Sequence, residues 1–364
     1  MNMTLRPIQL KNQYLFVDFL KTIAVQIIIF HHLCNYGIIS LKVHELFPHL
    51  IDFVGLHGRY AVQIFLVIGG YLTAKSLPQT LEKFGLWKTI INRYLRLAPT
   101  YIVAIMITLL CAMIARAIHY DEYIGESETI SQLVAHFFFL QNILQFESIS
   151  VGVWYVAIDW QLYIFTACLL FFMKSFKKVL FILPIVVFLS LMYFSQYPLY
   201  EDYFIYFIGA YGLGMIAFLA EDSSHHETRQ PARILLLIFL LLILSDTFFE
   251  LRIKNVIEIL LAVLLTLYGK RAYNSKNMKW SKICIWFSQR SYCAFLIHFS
   301  LLLLGNSVYY YFQWESPMTG LFMMILIWIS SWFVAHFLFN LVEFPSRKIQ
   351  LKSSNVTQVR SKYL

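Results

Sequence analysis

The chain has 364 residues, of which 59% are hydrophobic and only 13% charged, and it carries a formal net charge of +9. Soluble domains hold roughly 45–50% apolar and about 25% charged residues, so a soluble globule is excluded and lipid is the expected solvent. The 33 Phe and 23 Tyr suit lipid-facing surface and interfacial belts.

In chain order, a polar start leads into apolar runs near 15–39, 58–77, 94–115, 151–173, 178–195, 203–220, 232–248, 255–271, 284–305 and 318–341. A helix needs about 20 apolar residues to cross about 30 Å of hydrocarbon, so these runs predict an all-α, polytopic bundle of about ten transmembrane helices. The segment 133–145 is apolar but too short to cross, and reads as re-entrant or interfacial. No small-residue cleavage site follows the first run, so the first helix is expected to stay as an anchor. The expected organisation is an N-terminal segment 1–14, a transmembrane domain 15–348 and a tail 349–364.

Ten crossings put both termini on one side. With that side inside, inner segments hold 22 of the 29 Lys and Arg and outer segments hold 5. The positive-inside rule therefore places both termini in the cytoplasm. The same split accounts for the basic charge, so no nucleic-acid partner is expected. The five cysteines form no C-x-x-C pair and lie in or beside apolar runs. They read as small packing residues, with no metal site expected.

Ionisable groups inside spans cost roughly 2.5–3.5 kcal/mol each on insertion scales and usually face a cavity. Helix 1 carries Asp18, Lys21, His31 and His32. Asp18 and Lys21 are three apart and can pair on one face. Lys21 and His32 are close to three turns apart, about 16 Å along the axis. Imidazole suits proton transfer near neutral pH, although a packed histidine pair fits the spacing equally well. Arg93 and Arg96 share a face and could clamp phosphates, or simply anchor the helix inside. Trp154 and Trp160 read equally as belt residues, but Asp159 within Trp154–Tyr163 must be paired, solvated or working. Arg290 and His298 lie in the ninth run, and Glu343 closes the tenth, four residues before Arg347. By depth, His32, Asp159 and His298 are expected in an outer layer, and Arg93, Arg96, Arg290 and Glu343 in an inner one.

These residues resemble the acyltransferase-3 family of membrane O-acyltransferases over about 15–348. Asp18-Phe-Leu-Lys21 with His32 resembles the family's D-x-x-R start and its histidine eleven residues on. Gln63-Ile-Phe-Leu-Val-Ile-Gly69-Gly70-Tyr71-Leu72 is similar to F-F-V-x-S-G-[FY]-L. Arg93-Tyr-Leu-Arg96 with Pro99 and Tyr101 matches R-x-x-R-x-x-P-x-Y, and Trp154, Asp159, Gln161 and Tyr163 match W-x-L-x-x-E-x-Q-x-Y. Ser291–His298 resembles S-Y-x-x-Y-L-x-H, and Val342-Glu343-Phe344-Pro345 the closing [VI]-E-x-P. Lys21 stands for the usual arginine, Asp159 for glutamate and Gly69 for serine.

The resemblance implies an acyltransferase of the bacterial inner membrane. It would take an acyl group, usually acetyl, from cytoplasmic acetyl-CoA to a hydroxyl of a cell-envelope or exported glycan such as lipopolysaccharide, with no cofactor permanently bound. Within it, His32, Asp159 and His298 are the expected catalytic residues, His32 as base and Asp159 or His298 orienting the base or the sugar. Arg93, Arg96, Arg290 and Glu343 are expected at the donor, with Asp18, Lys21, His31, Trp154 and Tyr163 in support. Expected partners are acyl-CoA, the glycan and the lipid bilayer. A glycan transporter or flippase shares the mid-depth polar groups and basic inner loops, but no inverted repeat or Gly/Pro-broken helix pair is found. An acyltransferase of small cytoplasmic molecules is a further alternative.

Overall fold

The structure is a computed structural model that describes residues 14–119, 121–222, 226–246, 252–270, 278–349 and 351. The segment 1–13, the tail beyond 351 and the cations Arg6, Lys11, Arg271, Lys276, Lys352, Arg360 and Lys362 lie outside the described residues.

Among the described residues the fold is all-helical, without a strand element. The long helices are α1 (Leu15–Asn35), α4 (Ala61–Ile118), α6 (Val153–Met173), α7 (Phe176–Met192), α8 (Phe204–Glu221), α9 (His226–Asp246), α10 (Ile253–Tyr268), α11 (Met278–Tyr311) and α12 (Pro317–Leu338). Short helices α2 (Gly37–Leu46), α3 (Pro48–His57) and α5 (Ile130–Phe137) lie between them. A π-helical turn, Phe339–Glu343, and a last turn, α13 (Phe344–Ser346), close α12. Eight helical stretches are long and apolar enough to cross a bilayer.

The ten apolar runs exceed these eight stretches by two, because α4 carries two runs and α10 is too short to count. A straight α4 would measure about 87 Å at 1.5 Å per residue, far more than a bilayer holds. It is broken at Gly85, whose φ of 72° and ψ of 176° only glycine adopts cheaply, so two of the expected runs fall on its two limbs. α10 spans 16 residues and is short of a full crossing length.

The first run ends earlier than expected. α1 stops at Asn35, where Tyr36 turns extended and Gly37 takes φ 83°. Asn306 of α11 fixes this break, accepting the Ile39 N–H at 3.0 Å and filling the space where a Cβ on Gly37 would sit. The released chain folds back as α2 and α3 over one end of the bundle. The 133–145 segment forms no crossing: α5 has eight residues and starts from a Thr129–Gln132 capping box.

The core seam joins α4 to α8. A Cβ on Gly70 would lie 1.8 Å from the Tyr211 carbonyl oxygen, and one on Gly214 1.9 Å from that of Val67. The two backbones touch through small residues, as membrane helices do where no hydrophobic force drives them together. α11 sits beside this seam in contact with α1, α4 and α12. Phe181, Leu237, Phe322 and Phe333 point outward, as lipid-facing side chains should.

Candidate active site

α1 and α11 bring two histidines together near the Tyr36 end. His32 Nδ1 lies 2.8 Å from His298 Nε2, and the rings overlap at 5.0 Å between centroids and 20° between planes. His298 Nδ1 lies 3.1 Å from the Ala294 carbonyl. A carbonyl only accepts, so this nitrogen carries the hydrogen and the Nε2 of a neutral His298 is a lone pair. His32 then donates from Nδ1, which leaves its own Nε2 as the free basic atom. Tautomers are assigned here from the network, and the neutral pair has this one consistent solution. His31 is tied to α3 instead: its ring meets the Val54 carbonyl at 3.4 Å, and Asn35 links its carbonyl to that of Gly55.

His31 and His32 both line a cavity of about 980 Å³. Trp154, Gln63, Phe295, Asn142, Asp202 and Asn255 also line it. Trp154 packs on Phe207 at 5.6 Å, which fixes its indole as a wall.

Toward the Gly85 end, four cations from three elements lie within electrostatic reach of one another: Lys21, Arg93, Arg96 and Arg347. Two are neutralised. Arg93 Nη2 donates to Asp159 Oδ2 at 2.6 Å with Tyr163 4.8 Å beneath its guanidinium. Arg347 Nη2 meets Glu343 Oε1 at 2.5 Å, and the other Glu343 oxygen accepts from Cys293 Sγ at 2.9 Å. Lys21 and Arg96 have no hydrogen bond or ion pair among the described residues. They form an open pair of cations inside a ring whose other charges are cancelled.

Over residues 14–336 the sequence matches the acyltransferase-3 family, described as an acyltransferase domain. The chain belongs to the acyltransferase-3 family. No curated protein and no solved structure matches it significantly. It is therefore a multi-pass membrane acyltransferase, and its polar interior can be read for the parts such an enzyme needs.

Three expectations for this acyltransferase change. Asp159 was expected in the layer of His32, but it pairs with Arg93, and His298 is the partner of His32. Asp159 lies six residues into α6 and Arg93 eight beyond Gly85, roughly 9 and 12 Å along their helices, so both approach mid-depth. Arg290 was expected to face the donor, but it is buried and committed to α12. Its Nε donates to His336 Nδ1 and its Nη1 to the Trp286 carbonyl, both at 3.0 Å, while Trp286 and Phe339 stack on its guanidinium. Lys21 was expected to pair with Asp18. The two feel each other's charge, but Asp18 accepts from Ser288 Oγ of α11 at 2.6 Å and Lys21 stays open.

Sequence reasoning did not place Arg347 in the cation ring. The available signal was its spacing four residues after Glu343, which suggested only the pair. Asn142, Asp202 and Asn255, which line the cavity, lie in none of the sequence motifs.

Proposed function

We propose that this acyltransferase moves an acyl group, acetyl being the simplest, from acyl-CoA on the cytoplasmic side to a hydroxyl of a cell-envelope or exported glycan on the outer side. The single observation that carries this reading is the His32–His298 pair at the border of a large, polar cavity. The cation bias of the sequence supports the orientation, with the Tyr36 end outward and both termini in the cytoplasm of a bacterial inner membrane, around a ten-crossing bundle.

His32 Nε2 takes the proton of the acceptor hydroxyl. The oxygen attacks the thioester carbonyl, a C–O bond forms, and the tetrahedral intermediate collapses by breaking the C–S bond. The CoA sulfur leaves with the electron pair and receives the proton back from His32. His298 Nε2 accepts from His32 Nδ1 throughout and stabilises the transient imidazolium, the part an orienting group plays beside a catalytic histidine. Lys21 and Arg96 hold donor phosphates, with Arg93 and Arg347 adding field from behind their carboxylates. The roughly 16 Å between Lys21 and His32 along α1 is bridged by the extended arm that carries the thioester.

The test is detergent-purified full-length protein with [14C]acetyl-CoA and glycan extracted from the host surface. Glycan-dependent transfer that His32→Ala nearly abolishes at normal membrane abundance is the expected result. Near-normal acetylated product from His32→Ala would falsify the role of the base, and an inert thioester with wild-type protein would favour a transporter.

A further inference from the structure

The cavity beside His32 is lined by two buried amides whose oxygens have no hydrogen-bond partner among the described residues. Asn255 of α10 is 1% exposed and Asn142, just beyond α5, is 6% exposed, and both line the cavity. The Oδ1 atom of each is buried without a hydrogen-bond partner. At Asn255 the identity of that atom is fixed, because Nδ2 donates to the Leu191 carbonyl at 3.3 Å. Buried polar groups in folded proteins are almost always paired, and each exception asks for an explanation. Two orphan acceptors from separate segments that line one cavity call for a ligand that brings hydrogen-bond donors.

The rim narrows what that ligand is. Arg59, Arg252 and Lys254 line it, but so do Glu147, Glu201 and Asp202. Three charges of each sign select neither a polyanion nor a polycation. Two of the carboxylates are already engaged, Glu201 by Tyr206 Oη at 2.9 Å and Asp202 by Gln145 Nε2 at 3.0 Å. The remaining demand is for neutral donors, and the flat face of Trp154 suits an apolar ring face. Hydroxyl donors around a ring with an apolar face are the chemistry of a sugar.

We infer that Asn142 and Asn255 are the residues that recognise the acceptor, each oxygen taking a hydrogen bond from a sugar hydroxyl that does not react. This deepens the proposed function and rests on it. A site built to bond a substrate hydroxyl discriminates strongly against a ligand lacking it, because its buried groups are then stranded.

The test uses the full chain in its host membrane, where the native acceptor is present. Surface glycan is isolated from cells carrying wild-type protein or Asn142→Leu, Asn142→Asp, Asn255→Leu or Asn255→Asp, and its O-acetyl content is read by proton NMR. Each Leu variant lowers that content at least tenfold. Each Asp variant, which keeps an accepting oxygen in place, retains more than half of it. The purified variants bind [14C]acetyl-CoA within twofold of wild type.

Normal O-acetyl content in both Leu variants overturns the inference. So does equal loss in the Leu and Asp variants at Asn255, which is what loss of the bond to Leu191 alone would produce. If wild-type glycan carries no O-acetyl group that depends on His32, the glycan reading itself fails, and that outcome is distinct from the other two.

Discussion

The carboxylate of Asp159 sits 2.6 Å from the guanidinium of Arg93, and both side chains are largely withdrawn from solvent. Removing one partner of such a pair strands the other, at a cost of about 3–5 kcal/mol. Arg93→Gln is therefore expected to lower folded abundance and melting temperature in detergent, and Asp159→Asn in the same chain to restore much of both. A single Arg93→Gln variant as stable as wild type would show that the pair contributes nothing to the fold.

Arg96 is in a different position, because no carboxylate among the described residues is bonded to it. Arg96→Gln should leave stability near wild type and weaken the donor. One charge-assisted hydrogen bond is worth about 1.5–3 kcal/mol, so KM for acetyl-CoA rises about 10- to 100-fold. Initial-rate kinetics at varied donor concentration read this directly, and an unchanged KM removes Arg96 from the donor site.

His298 acts through His32 and needs only an accepting atom to do so. His298→Leu should lower kcat on the order of 10²-fold with donor KM unchanged. His298→Gln, whose amide oxygen can stand where Nε2 stands, should recover a measurable part. Equal kcat in the two variants would contradict the hydrogen-bond assignment.

Outside the membrane-spanning helices, His136 gives the protein an acid limit. Its Nδ1 donates to the Gln132 carbonyl at 2.8 Å and its Nε2 accepts the Ile149 N–H at 3.2 Å, so the ring is held neutral. Burial lowers its pKa below the ordinary 6.5, against a smaller opposing effect of the Gln132 carbonyl. A depressed pKa contributes stability that is complete above 6.5 and is lost as pH falls from there through the folded-state value. Thermal melts between pH 7.5 and 5 should show wild type losing stability below about 6.5, with His136→Gln flatter over that range. Parallel curves would assign the acid sensitivity elsewhere.

The seam glycines differ in how much they tolerate. Gly70→Ala forces a Cβ to within 1.8 Å of a backbone oxygen, whereas a Cβ on Gly69 meets the Tyr211 ring at 3.1 Å and Asp159 Oδ1 at 3.6 Å. Overpacking costs typically 1–3 kcal/mol or more. Gly70→Ala should therefore cut the monodisperse yield sharply on size exclusion, while Gly69→Ala should be purified much as wild type is.

The helices were legible because lipid demands long apolar runs, and each of the ten runs overlaps a helix among the described residues. The limbs on either side of Gly85 were separate runs, but the break inside the first run was not legible: Gly37 follows α1 with a backbone angle that hydropathy does not register, and Asn306 acts on it across a sequence gap of more than 260 residues. Within the site, spacing along one helix grouped Arg93 with Arg96, and the two lie within reach of each other's charge. It could not say which side chain on another helix would face them. Asp159 and His298 looked interchangeable as partners of His32 until the tilt and depth of α6 and α11 were known. Arg290 shows the same limit from the other side: its charge suggested a ligand, and only its contacts with Trp286, Phe339 and His336 reveal a packed guanidinium.

The backbone contact of Gly70 with Tyr211 and of Gly214 with Val67 also has a mechanical meaning. Helices that meet oxygen-to-carbon cannot ratchet past each other by a turn without prising the seam open, so α4 and α8 travel together. Rocking of one against the other, a motion that carriers use, would have to part this contact. An acceptor arriving at the histidine pair from the Tyr36 end would meet α4 and α8 as a single joined unit.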